Sequence, residues 1–360
     1  MNPVNTHTLH TDTLNTQTLN DGNAANAVER VASASSGAPL LEMAGLLIDS
    51  SLCLPELAAS EMDITAGPNK FDPEVLVVRH CVDDDGVSAT FDASMDPPRF
   101  AATEDGWELF VAGAARVHVS LDGRRVFVAH RSDADPLLLA HLVVDQAVPR
   151  ALVARGRIVL HATCVAEGGL AFGFLGPTGT GKSTLALGFA AEGAALVADD
   201  CLVVTFDGPE TAVVPSYPSG RLCSDSVAAL GLDVSARPAA GGKRRLNFAG
   251  AHREVPLAAL FLLERSDAHA SPSAVRLTPG HAAWLLARNA FGSAALPEEV
   301  SAAVGAVAAM QPIVCSVPVF VLRYPSDLDG LSTLRAFVRA TVADAEKSAP
   351  LVAGGTGSTS

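Results

Sequence analysis

The segment from residue 176 to residue 183 constrains the fold of this chain more than any other. It reads GPTGTGKS and matches the pattern G-x-x-x-x-G-K-[ST] at every fixed position, between an apolar, strand-like run and a helical run. In such a loop the glycines let backbone N–H groups converge on phosphate oxygens, and the N-terminus of the following helix attracts negative charge. The sequence therefore predicts an α/β domain in which a strand, a phosphate-binding loop and a helix follow one another.

Two residues of the predicted loop have distinct chemical roles. The Lys182 side chain reaches the terminal phosphates of a nucleotide, and the Ser183 hydroxyl can join the ligand shell of Mg²⁺. The other residues expected around the phosphates are Gly176, Pro177, Thr178, Gly179, Thr180, Gly181 and Thr184. A glycine-rich turn without a ligand is the alternative, which the complete pattern in its strand and helix context disfavours.

Two adjacent aspartates, Asp199 and Asp200, follow the loop after one predicted helix and one predicted strand. A helix from about Lys182 to Glu192 carries the chain about 16 Å away from the loop, and Gly193 ends it. A right-handed crossover then puts the returning strand parallel to, and beside, the strand before the loop. The aspartates come back to the level of the phosphates, and as strand neighbours they point in opposite directions. One can hold Mg²⁺ while the other faces a nucleophile; a surface turn is the alternative.

His161 is predicted to lie beside the loop. Two apolar runs flank Gly168 and Gly169, a pair that suits a two-residue hairpin turn. In that register His161 faces Gly176, the first glycine of the loop. It can then contact the terminal phosphate or orient an aspartate. A strand-end histidine without a functional role is the alternative, because a slip of one residue would turn its side chain away.

The segments LHATCV, GPTGTGKST and LVADD together resemble the catalytic core of the HPr kinase/phosphorylase family. A looser likeness extends to the HPr-kinase-related serine kinases, including lasso-peptide-type tailoring kinases. The resemblance implies an α/β, phosphoenolpyruvate-carboxykinase-like P-loop kinase domain behind a smaller, mostly-β N-terminal domain. It also implies ATP and Mg²⁺ as cofactors and the serine hydroxyl of a protein or peptide as acceptor. Catalytic roles carry over to His161, Asp199 and Asp200, and metal binding to Ser183 and both aspartates.

The chain departs from that family after the aspartates. Bifunctional members carry E-x-R-G-L-G-like and P-G-R-N-like segments, where this chain reads GRLCSDSVAALG and GGKRRLNF. These differences argue against phosphorylase activity and against HPr itself as the acceptor. Lys243, Arg244 and Arg245 are catalytic candidates, because a positive group must stabilise the transferring phosphoryl. A solvated basic cluster in a flexible loop is the alternative, and Arg221 and Asp225 are weaker candidates.

Patterning along the chain predicts its division into segments. Residues 1–38 are polar, with the imperfect repeat NTHTL, HTDTL, NTQTL, and are expected to be disordered. Residues 39–134 are expected to form the small, mostly antiparallel β domain. Residues 135–347 are expected to form the P-loop kinase domain, which starts with an amphipathic helix capped by Asp135. Residues 348–360 are a low-complexity tail, also expected to be disordered.

The charge of the chain limits its partners. A formal net charge of −14 disfavours nucleic acids and anionic membranes, because no broad surface would neutralise their phosphates. No apolar run approaches the ~18 uninterrupted residues of a membrane span, and the polar N-terminus has no signal core. The cytoplasm is therefore the expected compartment. The resemblance also implies a homo-oligomer, because members of the resembled family are hexameric.

Two other functions are compatible with the sequence. A nucleotide-binding module could use ATP to recruit a peptide or a partner enzyme without transfer, since Mg²⁺ alone needs only one of the aspartates. A kinase for a small molecule such as free serine, or a carboxykinase-like enzyme, could be built on the same fold. The N-terminal β segment favours a macromolecular acceptor only by analogy.

Overall fold

A computed structural model of the chain describes residues 41–55, 57, 75–84, 87, 99–111, 113–207, 210–232, 237–266, 271–291, 300–325 and 330–347. The predicted disordered segments 1–38 and 348–360 lie outside these residues. The described residues belong to one unit, Ser35–Ser360. They form a mixed α/β structure with several sheets, as the loop pattern predicted.

The N-terminal sheet is built from short strands in which buried and partly exposed residues alternate, so that one face packs inward. The strands are β1 Leu41–Met43, β2 Leu46–Ser50, β3 Leu76–Val82, β4 Arg99–Thr103, β5 Gly106–Val111, β6 Ala115–Ser120 and β7 Arg125–His130. Their order is β1-β2-β3-β7-β6-β5-β4. The pairs β2–β3 and β3–β7 are parallel, and the other pairs are antiparallel. This sheet occupies the described part of 39–134, whose independence as a domain stays a prediction.

A long buried helix follows this sheet. Helix α1, Pro136–Leu142, is capped by Asp135, whose side chain accepts a hydrogen bond from the N–H of Leu137. It continues through a π-helical segment, Val143–Ala147, into helix α2, Val148–Ala154. By length and composition the whole helix could cross a membrane, but 67% of its apolar window is buried inside the protein. Its apolar residues pack with those of the N-terminal sheet, so they serve as core.

The remaining strands form two further sheets. They are β8 Ile158–Leu160, β9 Ala162–Glu167, β10 Leu170–Leu175, β11 Ala195–Ala198, β12 Leu202–Asp207, β13 Glu210–Val214, β14 Ser219–Leu222, β15 Arg237–Pro238, β16 Arg244–Asn247, β17 Val255–Ser266, β18 Ser273–Arg276 and β19 Val319–Pro325. The large sheet has the order β11-β9-β10-β17-β13-β12-β8, with β19 on β17 and β18 on β19. The small sheet has the order β14-β16-β15. Strands β10, β17 and β19 are mutually parallel and largely buried, which explains their continuous apolar runs.

Helices cover both faces of the large sheet. They are α3 Lys182–Ala191, α4 Ser224–Ala229, α5 Pro279–Arg288, α6 Val300–Ala309, α7 Gln311–Ser316 and α8 Leu331–Lys347, with a 3₁₀ turn at Ala240–Gly242. Helices α3 and α8 pack in one apolar cluster, and α5, α6 and α7 pack in another. The result is a three-layer α/β/α arrangement, one of the few ways to bury both faces of such a sheet.

Strand β11 differs from its predicted position. It pairs antiparallel with β9, and β9 lies between it and β10. It is therefore parallel to β10, as predicted, but not beside it. The reason is that both edges of β10 are already occupied, one by its hairpin partner β9 and the other by β17. The hairpin itself has the predicted register, since Leu170 pairs with Glu167 and Leu175 with Ala162.

Candidate active site

The predicted phosphate loop connects β10 to α3. Its glycines have φ angles of +140° at Gly176, +86° at Gly179 and +97° at Gly181, a backbone region that residues with side chains rarely adopt. No side chain caps α3, whose first residue is Lys182. Because the first N–H groups of a helix have no intrahelical partner, this end favours a bound anion. The loop therefore has the backbone conformation and the helix terminus that phosphate binding requires.

The loop is held by its own hydroxyls and by the sheet. The Thr180 hydroxyl donates to the Pro177 carbonyl at 2.8 Å, and the Thr184 hydroxyl lies 3.2 Å from that of Ser226. Tyr324, at the end of β19, donates its hydroxyl to the Thr180 carbonyl. Tyr324 was not predicted from the sequence, because no local pattern of residues indicates that β19 ends beside the loop.

Lys182 is buried at the base of the loop, with only 6% of its surface exposed. Its Nζ donates to the carbonyl oxygen of Gly176 at 2.7 Å. Burial lowers the pKa of its ammonium group, although the carboxylates of Asp199 and Asp200 oppose this effect. A buried ammonium within reach of two carboxylates and a phosphate loop is suited to compensate phosphate charge.

Asp199 follows β11 directly and is 1% exposed. Its Oδ1 accepts hydrogen bonds from the hydroxyls of Ser183 at 2.9 Å and Thr163 at 3.0 Å. Its Oδ2 accepts the backbone N–H of Arg221 at 2.9 Å. Burial and the nearby charge of Asp200 raise the pKa of Asp199 to about 6. The Ser183–Asp199 pair is the combination that holds Mg²⁺ in P-loop enzymes.

Asp200 has a different backbone conformation and different partners. Its φ is +66°, so the two aspartates do not continue the strand, contrary to the prediction. The kink turns the chain from β11 at one edge of the large sheet toward β12, which pairs with β13 and β8. The Asp200 carboxylate accepts a hydrogen bond from Arg221 at 2.8 Å and lies 3.7 Å from Nε2 of His161. Its side chain is 17% exposed, which makes it accessible where Asp199 is not.

His161 lies between β8 and β9 and lines the same cleft as Gly176. The backbone N–H of His161 donates to the backbone carbonyl of Asn289 at 2.7 Å. The centroid of its ring lies 5.8 Å from that of the Phe291 ring. Burial lowers the pKa of the imidazole, while the charge of Asp200 opposes this. The geometry brings a largely neutral His161 beside both the loop and Asp200.

A buried network around Arg221 supports the aspartates. The Arg221 guanidinium, on β14, lies 3.0 Å from Asp145 and 2.8 Å from Asp200. Asp145, in the π-helical segment, also accepts the Tyr217 hydroxyl at 2.5 Å and lies 2.6 Å from Nδ1 of His141. Burial opposes ionisation of Asp145, but the His141 hydrogen bond and the Arg221 charge outweigh it and lower its pKa. Asp145 was not predicted from the sequence as part of the site. A polar residue on the buried side of an apolar helix could have indicated it.

The basic residues 243–245 do not form the predicted flexible loop. Arg244 and Arg245 belong to β16, which pairs with β14, and successive strand residues face opposite sides. Arg245 is buried in the small sheet. Lys243 is close enough to Lys182 for its charge to help lower the pKa of that ammonium. The structure therefore brings Lys243 toward Lys182 and the loop, while Arg245 is part of the small sheet and Asp225 lies in the first turn of α4.

Among the described residues, no group of three or more His, Cys, Asp or Glu side chains is arranged to hold a metal ion. A Mg²⁺ ion at the loop does not need such a group, because Mg²⁺ is commonly bound through one or two carboxylates together with substrate phosphates. Ser183 and Asp199 could provide the protein oxygens for this kind of site.

No protein-family model matches the chain, and no curated protein matches it. Among solved structures it is similar to the Hpr(Ser) kinase/phosphatase from Coxiella burnetii, with 14% sequence identity over 52% of this chain and 98% of that chain. The TM-score of this similarity is 0.29, which is too low to carry an argument. The proposal that follows therefore depends on the residues and geometry of the site.

Proposed function

We propose that the protein is an ATP- and Mg²⁺-dependent kinase that transfers the γ-phosphoryl group to a serine hydroxyl of a protein or peptide. The observation that carries this proposal is the hydrogen bond from Ser183 of the phosphate loop to Asp199, with the accessible Asp200 directly beside it. A phosphate loop alone indicates nucleotide binding. A second, differently held carboxylate supplies what transfer to a hydroxyl requires in addition.

Asp199 and Ser183 are the proposed protein ligands of Mg²⁺. A bound Mg²⁺ would neutralise the negative charge that develops on the terminal phosphates. Asp199 orients the Ser183 hydroxyl through their hydrogen bond, and a nearby cation favours the ionised form of a buried carboxylate. Lys182 contributes the second positive charge at the terminal phosphates.

Asp200 is the proposed general base. The acceptor hydroxyl gives its proton to Asp200 as its oxygen bonds to the γ-phosphorus. The bond from phosphorus to the bridging oxygen breaks, and ADP leaves with that electron pair. Arg221 holds the Asp200 carboxylate in position through a contact of 2.8 Å, and His161 lies 3.7 Å from it. The serine acceptor is supported by the resemblance of residues 160–200 to the HPr kinase family.

The test follows label from γ-labelled ATP with Mg²⁺ into a library of serine-containing peptides and into free serine. In Asp200→Asn we expect nucleotide affinity to stay near that of the wild type and transfer to fall on the order of 100-fold or more, the usual contribution of a general base. Asp133→Asn is the matched control, since Asp133 is 68% exposed.

Each other outcome has a distinct meaning. Full transfer by Asp200→Asn contradicts the assignment of the base. Tight nucleotide binding without label on any acceptor contradicts the kinase and favours a recruitment module. Label on free serine but on no peptide replaces the macromolecular acceptor with a small molecule.

A further inference from the structure

A cleft beside the phosphate loop contains residues that the proposed transfer does not use. Its volume is about 340 Å³, and its lining includes His161, Gly176 and Thr178. These loop residues precede Lys182, which contacts the Gly176 carbonyl and reaches the terminal phosphates of a nucleotide. His161 also lies beside Asp200. The cleft therefore opens at the end of the loop where the γ-phosphoryl and the base meet, which is the side of the acceptor.

Arg150, from helix α2, lines this cleft as a buried cation. It is 7% exposed, and its guanidinium lies 3.6 Å from the ring centroid of Phe100 and 5.5 Å from that of Phe291. Its Nη1 donates to the backbone and side-chain oxygens of Gln146 at 2.8 Å and 3.2 Å. Among the residues that the structure describes, no carboxylate pairs with it. Burial lowers the pKa of its guanidinium to about 10.

The described lining of the cleft carries charge of one sign. Among the lining residues that the structure describes, none is acidic, and Arg288 adds a second guanidinium, on a chain whose net charge is −14. A buried cation without a counter-ion destabilises a folded protein. Such a group is retained where a ligand brings the opposite charge.

We infer that this cleft binds an anionic group of the acceptor, a carboxylate or a phosphate, and that Arg150 recognises it. The inference rests on the proposed kinase function and narrows its substrate class to hydroxyl compounds, or serine residues, that carry such a group near the hydroxyl. A planar guanidinium pairs with either anion through two hydrogen bonds. With the anion on Arg150, the hydroxyl is directed to Asp200 and the γ-phosphorus, and the bonds made and broken stay those of the transfer above.

The test uses acceptors that differ only in the anionic group. Free serine is compared with serinamide for the carboxylate, and sn-glycerol 3-phosphate with glycerol for the phosphate, as label acceptors from γ-labelled ATP. We expect the wild type to prefer the anionic member of at least one pair by roughly tenfold or more, as charge-assisted hydrogen bonds allow. Arg150→Met should lose that preference and keep its nucleotide affinity. Arg276→Met is the matched control, because Arg276 is exposed and does not line the cleft.

A separate binding measurement is needed because an acceptor can bind in the cleft without being phosphorylated. Calorimetry with Mg·ADP-saturated protein compares O-phosphoserine with O-phosphoethanolamine, which lacks the carboxylate. Where the anion on Arg150 is a carboxylate, we expect roughly tenfold weaker binding without that group in the wild type and no such difference in Arg150→Met. Arg150→Met should have a thermal transition at least as high as that of the wild type, since methionine fills the aromatic contact and removes a buried charge that has no counter-ion. If it does not, Arg150→Lys keeps the charge and should show a reduced preference.

Two results overturn the inference. One is equal behaviour of both members of every pair in both measurements, and the other is a preference that survives Arg150→Met. Failure of the proposed kinase looks different. In that case no acceptor gains label, while the Arg150-dependent difference in binding persists.

Discussion

Replacing Asp199 with asparagine should stabilise the metal-free protein at neutral pH even though it abolishes transfer. Burial and the charge of Asp200 raise the pKa of Asp199 from its ordinary 3.8 to about 6. One pKa unit corresponds to about 1.36 kcal/mol, so an ionised Asp199 lowers the free energy of unfolding by roughly 3 kcal/mol. Asparagine carries no charge. The hydrogen bond from the Arg221 N–H favours the ionised form and is already included in this shift, so a gain on the order of 3 kcal/mol should remain.

The sign of the pH dependence follows from the raised pKa. Between about pH 4 and pH 6 the folded protein binds more protons at Asp199 than the unfolded chain does. The contribution of Asp199 to the stability of the wild type should therefore fall as the pH rises through this window. Asp199→Asn should lack that part of the fall, so its advantage over the wild type should grow between about pH 4 and pH 6 and then stay constant.

The assay is urea unfolding in EDTA, followed by circular dichroism at pH values from about 4 to 8. Asp133→Asn serves as the control for an exposed aspartate, and its curve should run parallel to that of the wild type. Mg²⁺ with nucleotide should stabilise the wild type more than Asp199→Asn, because only the wild type has a carboxylate at the cation. An Asp199→Asn variant that is less stable than the wild type by the same amount at every pH would refute the reasoning.

Three further substitutions test other parts of the site. Lys182→Met should weaken Mg·ATP binding by roughly tenfold or more in calorimetry and abolish transfer, because it removes the buried ammonium at the terminal phosphates; unchanged affinity would contradict the loop assignment. Asp145→Asn should lower the free energy of unfolding by about 3 kcal/mol and also reduce transfer, because Arg221 loses a buried counter-charge. Tyr217→Phe removes only a hydrogen bond and should lower the free energy of unfolding by about 1 kcal/mol. An Asp145→Asn variant as stable as the wild type would show that the network does not hold Arg221.

Several features of the fold could be predicted because they depend on neighbouring residues. The loop pattern requires a strand before it and a helix after it, and β10 and α3 are in those places. Gly168 and Gly169 determine the hairpin register through a two-residue turn. The apolar residues near the C-terminus have spacings that predict a strand followed by a helix. The structure has these elements at Val319–Pro325 and Leu331–Lys347.

Other features depend on partners that are distant in the sequence. The position of β11 depends on β17, which pairs with the edge of β10 that β11 would otherwise occupy. The residues of a strand do not show which edges of the neighbouring strands are free. Arg244 and Arg245 read as a loop because β16 is short and polar, and only its pairing with β14 makes it a strand. Asp145 gains its partners from β14 and from the segment after β13. Its role is therefore visible only after the helix has packed against the sheet.

Three groups at the proposed site are held in surroundings that disfavour their charged form. Burial raises the pKa of Asp199 and lowers the pKa values of Lys182 and Arg150. Buried charges of this kind weaken the folded chain, and they concentrate where ligands bring the opposite charge. The signs match the proposed reactants, with a cation for Asp199, phosphates for Lys182 and an anionic acceptor for Arg150. The assembled complex would thus relieve all three burial penalties together, which is why stability and transfer should respond in opposite directions to Asp199→Asn.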